Sequence, residues 1–203
     1  MNINWIWYLG LGYLLGSIPF ALVIGKLFYK TDVRNYGSGN LGGTNAGRVL
    51  GKKAGISVII CDVLKVVAAV GIVSYFDQNA SIWAGFAAAF GHCYPIFAGF
   101  RGGKAVATMF GFLLSTSIFT FQNAWYLFLP LIAFLIVLYI SKMVSLSSMI
   151  AAFVSSMFIT YMQINNGAEI IIASWLLTIL VVYRHRSNIV KIKNGTENKV
   201  SWL

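Results

Sequence analysis

Residues 54–76 have the sequence AGISVIICDVLKVVAAVGIVSYF, an apolar run whose only charged residues are Asp62 and Lys65. A helix needs about 20 mostly apolar residues to cross a membrane. This run is long enough, and it therefore predicts a transmembrane helix. Charges at that depth are usually paired, and an i, i+3 pair can partly neutralise itself. A structural pair is the simpler interpretation, and a proton or ion pathway is the alternative.

Six further apolar segments follow the same pattern, although the fourth, fifth and seventh of the full set are short. The seven segments are 5–28, 54–76, 81–100, 105–121, 125–140, 144–163 and 168–183. Pro19 and Pro130 fall inside two of them, where each predicts a kink. We predict an all-α, polytopic integral membrane bundle of seven transmembrane helices, formed by residues 1–203 as one domain. Five spans is the alternative count.

Composition and charge support a membrane protein. Hydrophobic residues make up 59% and charged residues 10% of the chain, against roughly 45–50% and 25% in soluble domains. A net charge of +10 would suggest nucleic acid in a soluble protein, but here the basic residues lie between apolar runs. Of the 15 Lys and Arg residues, only Lys65 lies away from the odd-numbered connections, the C-terminal tail and the adjoining span end. Basic residues collect in the cytosol, so we expect the N-terminus outside, the C-terminus cytosolic and no nucleic-acid partner.

The first of three polar segments on that face is YGSGNLGGTNAGR, residues 36–48. Glycine adopts positive φ without steric cost, so its five glycines allow successive backbone N–H groups to converge on an anion. Arg48 can grip a phosphate with two parallel hydrogen bonds. A flexible interhelical loop is the alternative. The Walker A pattern is absent.

The second segment is GHCYPIFAGFRGGKAVAT, residues 91–108. Its Arg-Gly-Gly-Lys sequence precedes a predicted helix, whose N-terminus favours phosphate, and Lys104 adds a full positive charge. An ordinary basic turn is the alternative. His92 falls inside the predicted third span, where a polar side chain usually faces the bundle interior. A structural hydrogen bond is its simplest role.

The third segment is RHRSNIVKIKNGTE, residues 184–197. His185 and Asn188 are three residues apart and share a face if the helix continues. A histidine beside phosphates could exchange a proton, and Asn188 could orient a hydroxyl or carbonyl. Glu197 is expected to hold the basic segment in place, with a role as base as the alternative. A basic tail bound to anionic lipid is the alternative for the whole segment.

In this order and on one face, the three motifs resemble the bacterial membrane-bound acyl-phosphate:glycerol-3-phosphate acyltransferases, the PlsY family. The segments GSIPF (16–20) and VSLSS (144–148) are also similar to family positions, so the resemblance covers nearly the whole chain. It implies transfer of a fatty acyl group from acyl phosphate to the 1-hydroxyl of glycerol 3-phosphate. The products are 1-acyl-glycerol 3-phosphate (lysophosphatidic acid) and phosphate. This is the first acylation of bacterial phospholipid synthesis, at the cell membrane with the active site facing the cytosol.

The resemblance also implies the roles of individual residues. Ser38 and Arg48 would bind and polarise the acyl phosphate, and His185 and Asn188 would orient the attacking hydroxyl. The general base stays open between His185 and a substrate phosphate oxygen. The implied substrate-binding residues are Gly37, Gly39, Asn40, Thr44, Asn45, Gly102, Gly103, Lys104 and Ser145, with residues 102–104 forming the glycerol-phosphate loop and Glu197 structural.

No metal and no cofactor are implied, and the implied partners are the two substrates, membrane lipid and the soluble enzyme that makes acyl phosphate. The HxxxxD signature of many acyltransferases is absent, which suits an activated donor that mainly needs positioning and oxyanion stabilisation. Three positions depart mildly from the family: Gly43 stands where Ala is common, Ala105 where Gly is common, and Lys191 where Arg is common. A transporter of phosphorylated solutes and a non-catalytic lipid-binding protein are the rival classes. The sequence lacks the inverted repeats of many transporters.

Overall fold

The computed structural model describes residues 4–165 and 167–200, and this part of the chain contains helices and connecting loops but no β-strand. The predicted all-α class is therefore confirmed. The described residues form ten α-helices: α1 (Asn4–Gly16), α2 (Phe20–Tyr29), α3 (Gly43–Leu50), α4 (Lys52–Ser74), α5 (Gln78–Cys93), α6 (Val106–Ser115), α7 (Trp125–Ser141), α8 (Val144–Gln163), α9 (Ala168–Arg184) and α10 (Arg186–Lys193). Short 3₁₀ turns cover Val33–Asn35 and Ile96–Ala98, and a π-helical turn, Thr116–Thr120, extends α6.

Three of these helical segments are long and apolar enough to cross a membrane. They are Asn4–Tyr29, which contains α1 and α2, then α4 and α8. A fourth is added if α9 and α10, which meet at a bend of 57°, are counted as one span. Helix α7 and α6 with its π-helical turn are apolar but shorter. The seven-span count and its orientation stay predictions.

The two predicted kinks have different outcomes. The first span breaks after Gly16, and α2 begins directly after Pro19. The second proline, Pro130, lies inside α7, which continues through it as one helix. Proline removes one backbone donor in both places. At the break in the first span, the Ile18 carbonyl oxygen accepts a hydrogen bond of 3.0 Å from Lys65 of α4.

One predicted boundary is wrong. The third apolar segment was expected to remain helical to residue 100, whereas α5 ends at Cys93. Pro95 disfavours helical geometry at the residue before it, and Gly99 adopts a φ of 63°, which also ends regular helix. Residues 94–105 therefore form a connection between α5 and α6, and His92 lies on the last turn of α5 rather than in mid-span.

Small residues bring α1 and α5 into close contact. A Cβ added at Gly12 would lie 2.9 Å from the Cα of Ala84, and one at Gly16 would lie 2.6 Å from the carbonyl carbon of Ala88. Both alanines are fully buried. Membrane helices commonly associate through small residues, because these let the two backbones approach. This contact fixes the first span against the helix that carries His92.

Substitution of Gly16 tests this packing. Gly16→Ala should lower the free energy of unfolding by about 1–3 kcal/mol, because the new methyl group overlaps backbone atoms that cannot rotate away. Thermal denaturation of purified protein in detergent measures the change. Gly10→Ala on the same helix is the control, since a Cβ there meets nothing within 4 Å. Equal effects of the two substitutions would contradict the proposed close contact.

Candidate active site

The three polar motifs meet around one cavity of about 820 Å³. It lies between the connection that precedes α3, the start of α6, the start of α8 and the α9–α10 junction. The predicted site residues that line it are Gly37, Ser38, Asn40, Thr44, Asn45, Arg48, Lys104, Ser145, His185, Asn188 and Glu197. Gly39, Gly102 and Gly103 do not line it. Motifs separated by about 40 residues or more in sequence therefore form a single site.

The side chain of Asn45 holds the glycine-rich loop in place through hydrogen bonds to its backbone. It is 2% exposed, and its Oδ1 accepts a hydrogen bond of 2.8 Å from the Ser38 backbone N–H. Its Nδ2 donates to the carbonyl oxygens of Val33 at 3.1 Å and Tyr36 at 3.3 Å. The substrate-binding role predicted for Asn45 is thus accompanied by a structural one, because the amide group already has three backbone partners.

Two glycines flank Ser38 in the left-handed region, with φ values of 61° at Gly37 and 67° at Gly39. A Cβ is disfavoured there, so both positions require the small residue that the sequence provides. The chain then enters α3 at Gly43, with Gly42 as its N-cap. Arg48 lies in the last turn of α3 and lines the cavity.

The backbone of the Gly102–Gly103 turn is bound by all three motifs. The Gly103 N–H donates to the carbonyl oxygen of His92 at 2.9 Å. Arg184 donates from Nε to the Gly103 carbonyl oxygen at 3.0 Å and from Nη2 to that of Gly102 at 3.1 Å. Asn40 Nδ2 donates to the same Gly102 oxygen at 3.3 Å. These glycines lie behind the cavity wall, where they position the residue that follows.

That residue, Lys104, begins a chain of side-chain hydrogen bonds across the cavity floor. Its Nζ donates to Oδ1 of Asn188 at 2.5 Å. The Asn188 Nδ2 donates to Oε1 of Glu197 at 2.7 Å, and the Ser145 hydroxyl donates to the same oxygen at 2.7 Å. The predicted structural role of Glu197 fits this geometry. Its carboxylate links the C-terminal segment to α8 and α10.

His185 caps the C-terminal end of α9 and is 3% exposed. Its Nδ1 lies 2.8 Å from the carbonyl oxygen of Val181, which requires the proton on Nδ1 and leaves Nε2 as an acceptor when the ring is neutral. Burial lowers the pKa of His185 to about 4, with the nearby Lys104 charge acting in the same direction. The ring is therefore neutral at pH 7.

The cavity is strongly cationic. Two carboxylates, those of Asp62 and Glu197, face it, and its basic side chains are Arg48, Lys104, Arg184, Arg186 and Lys191. Burial also lowers the pKa of Lys104, and the Glu197 carboxylate opposes that shift. Such an excess of positive charge in a partly enclosed cleft favours an anionic ligand.

The family model for glycerol-3-phosphate acyltransferases matches residues 6–195. The chain belongs to the glycerol-3-phosphate acyltransferase family. A glycerol-3-phosphate acyltransferase of Listeria welshimeri is 46% identical over the full length of both chains. One from Bacillus cereus is 48% identical over 94% of this chain and 92% of its own. The resemblance inferred from the three motifs is confirmed.

Two solved structures show the same fold. The glycerol 3-phosphate form of PlsY, an integral membrane glycerol 3-phosphate acyltransferase, matches with a TM-score of 0.88 and 32% identity, covering 98% of this chain and 96% of that one. The lysophosphatidic acid form of PlsY matches with a TM-score of 0.86 and 31% identity, over the same shares of the two chains. Together with the apolar helices, this likeness assigns the acyltransferase described here to a membrane.

Arg184 is one of the residues of this acyltransferase site for which the sequence predicted no individual role. Its position at the end of the last apolar segment suggested topology alone. The guanidinium also lies 5.1 Å from the centre of the Tyr94 ring, which fixes it from a second side. The available signal was an arginine next to the predicted His185, but its backbone partners are 81 and 82 residues away in sequence.

Replacement of Arg184 by lysine should loosen the Gly102–Gly103 turn. Lysine keeps the charge, but its single ammonium group cannot bind two carbonyl oxygens in a fixed fork. We expect amide hydrogen exchange of residues 101–105 to accelerate about tenfold or more, as measured by mass spectrometry. Arg186→Lys is the matched control, since Arg186 is exposed and contacts the carbonyl oxygen and the ring of Tyr183, at 3.4 Å and 4.6 Å, rather than the turn. Unchanged exchange in Arg184→Lys would show that the fork does not hold the turn.

The lowered pKa of His185 predicts a pH dependence of stability. The unfolded chain binds a proton near pH 6.5, whereas the native ring does so only near pH 4. The unfolded state therefore gains protons first as the pH falls, and native stability decreases between pH 6.5 and 4. This histidine alone should lower stability by about 2 kcal/mol between pH 7.5 and pH 5. The loss should be absent from His185→Gln measured in parallel by thermal denaturation; equal losses in both proteins would refute the assignment.

Proposed function

We propose that this protein transfers a fatty acyl group from acyl phosphate to the 1-hydroxyl of glycerol 3-phosphate, releasing 1-acyl-glycerol 3-phosphate and inorganic phosphate. The observation that carries this proposal is the composition of the cavity. Basic and apolar side chains line the same cavity, as a lipid phosphate requires. Family membership and the glycerol 3-phosphate form of PlsY support the acceptor substrate.

The apolar end of the cavity suits the acyl chain. It is lined by Ile59 of α4, Phe110 of α6, and Phe134 and Leu135 of α7. Ile59 and Leu135 are 43% and 53% exposed on the surface of the bundle. In a membrane this surface contacts lipid tails, so an acyl chain could enter sideways from the bilayer while its phosphate reaches the basic residues. This geometry favours acyl phosphate, a membrane-soluble donor, over a large water-soluble thioester.

The polar end contains groups for two phosphates. Arg48 and the loop around Ser38 form one wall, and Lys104 with Asn188 forms another. We assign the acyl phosphate to the first wall and glycerol 3-phosphate to the second. The Ser38 hydroxyl would polarise the acyl carbonyl, and Arg48 would stabilise charge on the departing phosphate. Thr44 and Ser145 complete the two walls.

The reaction then needs orientation and one proton transfer. The 1-hydroxyl oxygen forms a bond to the acyl carbon, the bond from that carbon to the phosphate oxygen breaks, and phosphate leaves with the electron pair. His185, neutral and with Nε2 as acceptor, would orient the attacking hydroxyl. With its pKa near 4, it is a weaker base than a phosphate group, whose second pKa is near 6. We therefore assign the proton to a phosphate oxygen.

We further propose that residues 1–203 act as one domain of seven membrane spans, with the N-terminus outside and the cavity open to the cytosol. The positive-inside pattern supports this orientation. In a bacterial cell membrane this would place the site where a soluble enzyme can deliver acyl phosphate and where the product stays in the bilayer. The same chemistry makes this the first acylation step of phospholipid synthesis.

The assay is direct. Purified protein in detergent, supplied with acyl phosphate and glycerol 3-phosphate, should release phosphate and lysophosphatidic acid in equal amounts, and acyl-CoA should not replace the donor. Ser38→Ala and His185→Ala should each lower turnover by at least about a hundredfold while thermal denaturation shows folded protein. Ser57→Ala, on the exposed side of α4, is the control. Full turnover in both site variants, or turnover with acyl-CoA alone, would refute the proposal.

A further inference from the structure

Three ionisable side chains, Asp62, Lys65 and His92, form a buried cluster beside the cavity. They are 1%, 4% and 5% exposed. The expected i, i+3 pair is present, with Lys65 Nζ 2.7 Å from Asp62 Oδ1. Burying charges inside a membrane bundle is costly, and an apolar replacement of a buried ion pair is often equally stable. A stabilising role alone therefore does not explain this cluster.

The contacts of Lys65 determine the tautomer of His92. The Lys65 ammonium group has three N–H donors and no acceptor. Its three partners are Asp62 Oδ1 at 2.7 Å, the Ile18 carbonyl oxygen at 3.0 Å and His92 Nδ1 at 3.1 Å. Nδ1 also lies 3.5 Å from Asp62 Oδ1, but the ammonium group is nearer and can only donate, so Nδ1 is the acceptor. An imidazole that accepts at Nδ1 is neutral and carries its proton on Nε2.

That Nε2–H lies against the phosphate loop. A Cβ at Gly103 would overlap His92 Nε2, so only glycine leaves room for the ring, and the Gly103 N–H is already bonded to the His92 carbonyl oxygen. His92 lines the cavity together with Lys104. Within residues 4–165 and 167–200, Nε2 has no hydrogen-bond partner. The cluster therefore presents an unused donor next to the lysine of the loop.

We propose that His92 donates a hydrogen bond from Nε2 to a phosphate oxygen of the substrate bound by Lys104, and that Asp62 and Lys65 are positioning residues that hold it in the donor tautomer. The inference rests on the proposed function and adds a residue to its phosphate site. The proposed function assigns glycerol 3-phosphate to the wall formed by Lys104 and Asn188, so the phosphate of glycerol 3-phosphate is the expected acceptor. Separate measurements on glycerol 3-phosphate and on a non-hydrolysable acyl phosphonate test this choice.

Two substitutions of His92 test the roles of its two ring nitrogen atoms separately. The amide oxygen of asparagine can replace Nδ1 as the acceptor for Lys65, but the side chain is too short to reach the position of Nε2. The amide nitrogen of glutamine reaches the Nε2 position and can donate there, but Lys65 then loses an acceptor. His92→Asn should therefore keep stability and lose the ligand contact. His92→Gln should do the reverse.

The experiment measures both properties in purified protein. For His92→Asn, isothermal titration calorimetry should show affinity for glycerol 3-phosphate reduced about tenfold or more, with a melting temperature near that of the unsubstituted protein. For His92→Gln, affinity should stay within about threefold while the melting temperature falls. Full affinity in His92→Asn, or equal losses of affinity in both variants, would overturn the proposal.

Removal of the two charged positioning residues gives an independent test. Asp62→Leu combined with Lys65→Met removes both charges and leaves no unpaired one, so the protein should fold. The tautomer of His92 is then unconstrained, and we expect affinity for the same ligand to fall several-fold; full affinity would overturn the positioning role. These readouts are binding measurements. Absent turnover in the unsubstituted protein would contradict the proposed function, while the contrast between asparagine and glutamine would still decide the role of His92.

Discussion

The backbone of Gly102 and Gly103 is the junction on which this site depends. In an apolar bundle every buried carbonyl and N–H group must find a partner within the protein, and this turn finds partners in two distant segments and in its own. Arg184 binds two of its carbonyl oxygens, Asn40 binds one and His92 binds an N–H. The same bonds that satisfy the turn therefore bring the three motifs together, so that folding the connection between α5 and α6 also assembles the cavity.

Much of the fold could be predicted from apolar runs because lipid exposure requires them. The segments at 54–76, 125–140 and 144–163 correspond closely to α4, α7 and α8. The end of α5 was not predicted, because the apolar residues continue past Cys93 into the following loop and hydropathy alone does not detect a change of direction. Pro95 and Gly99 are local signals for the end of α5. The direction that the chain then takes depends on the contact between Gly103 and His92, which is set by tertiary structure.

The sequence predicted which residues form the site better than it predicted the role of each residue. Residue type and spacing were enough to select Ser38, Arg48, His185 and Asn188 as candidates, since few residues suit phosphate chemistry. They could not show that Asn45 supports a loop, or that Gly102 and Gly103 lie behind the wall. Such roles depend on which backbone groups need partners in the folded chain. Tertiary contacts also explain why Gly43 stands where the family more often has Ala. A Cβ at this position would overlap the side chain of Ile59, which lines the acyl end of the cavity.

The charge of the cavity suits an enzyme that binds anionic substrates. Arg48, Lys104 and Lys191 share one partly buried cleft with few carboxylates, and burial lowers the pKa of Lys104. Their mutual repulsion is relieved when a phosphate binds, so part of the binding free energy comes from removing an unfavourable interaction present in the free protein. A neutral His185 adds no further repulsion, and a neutral His92 adds a donor without adding charge. Under the proposed function, donors that carry no charge would let the site bind two phosphates in turn and still release inorganic phosphate, which a more strongly cationic cavity would retain.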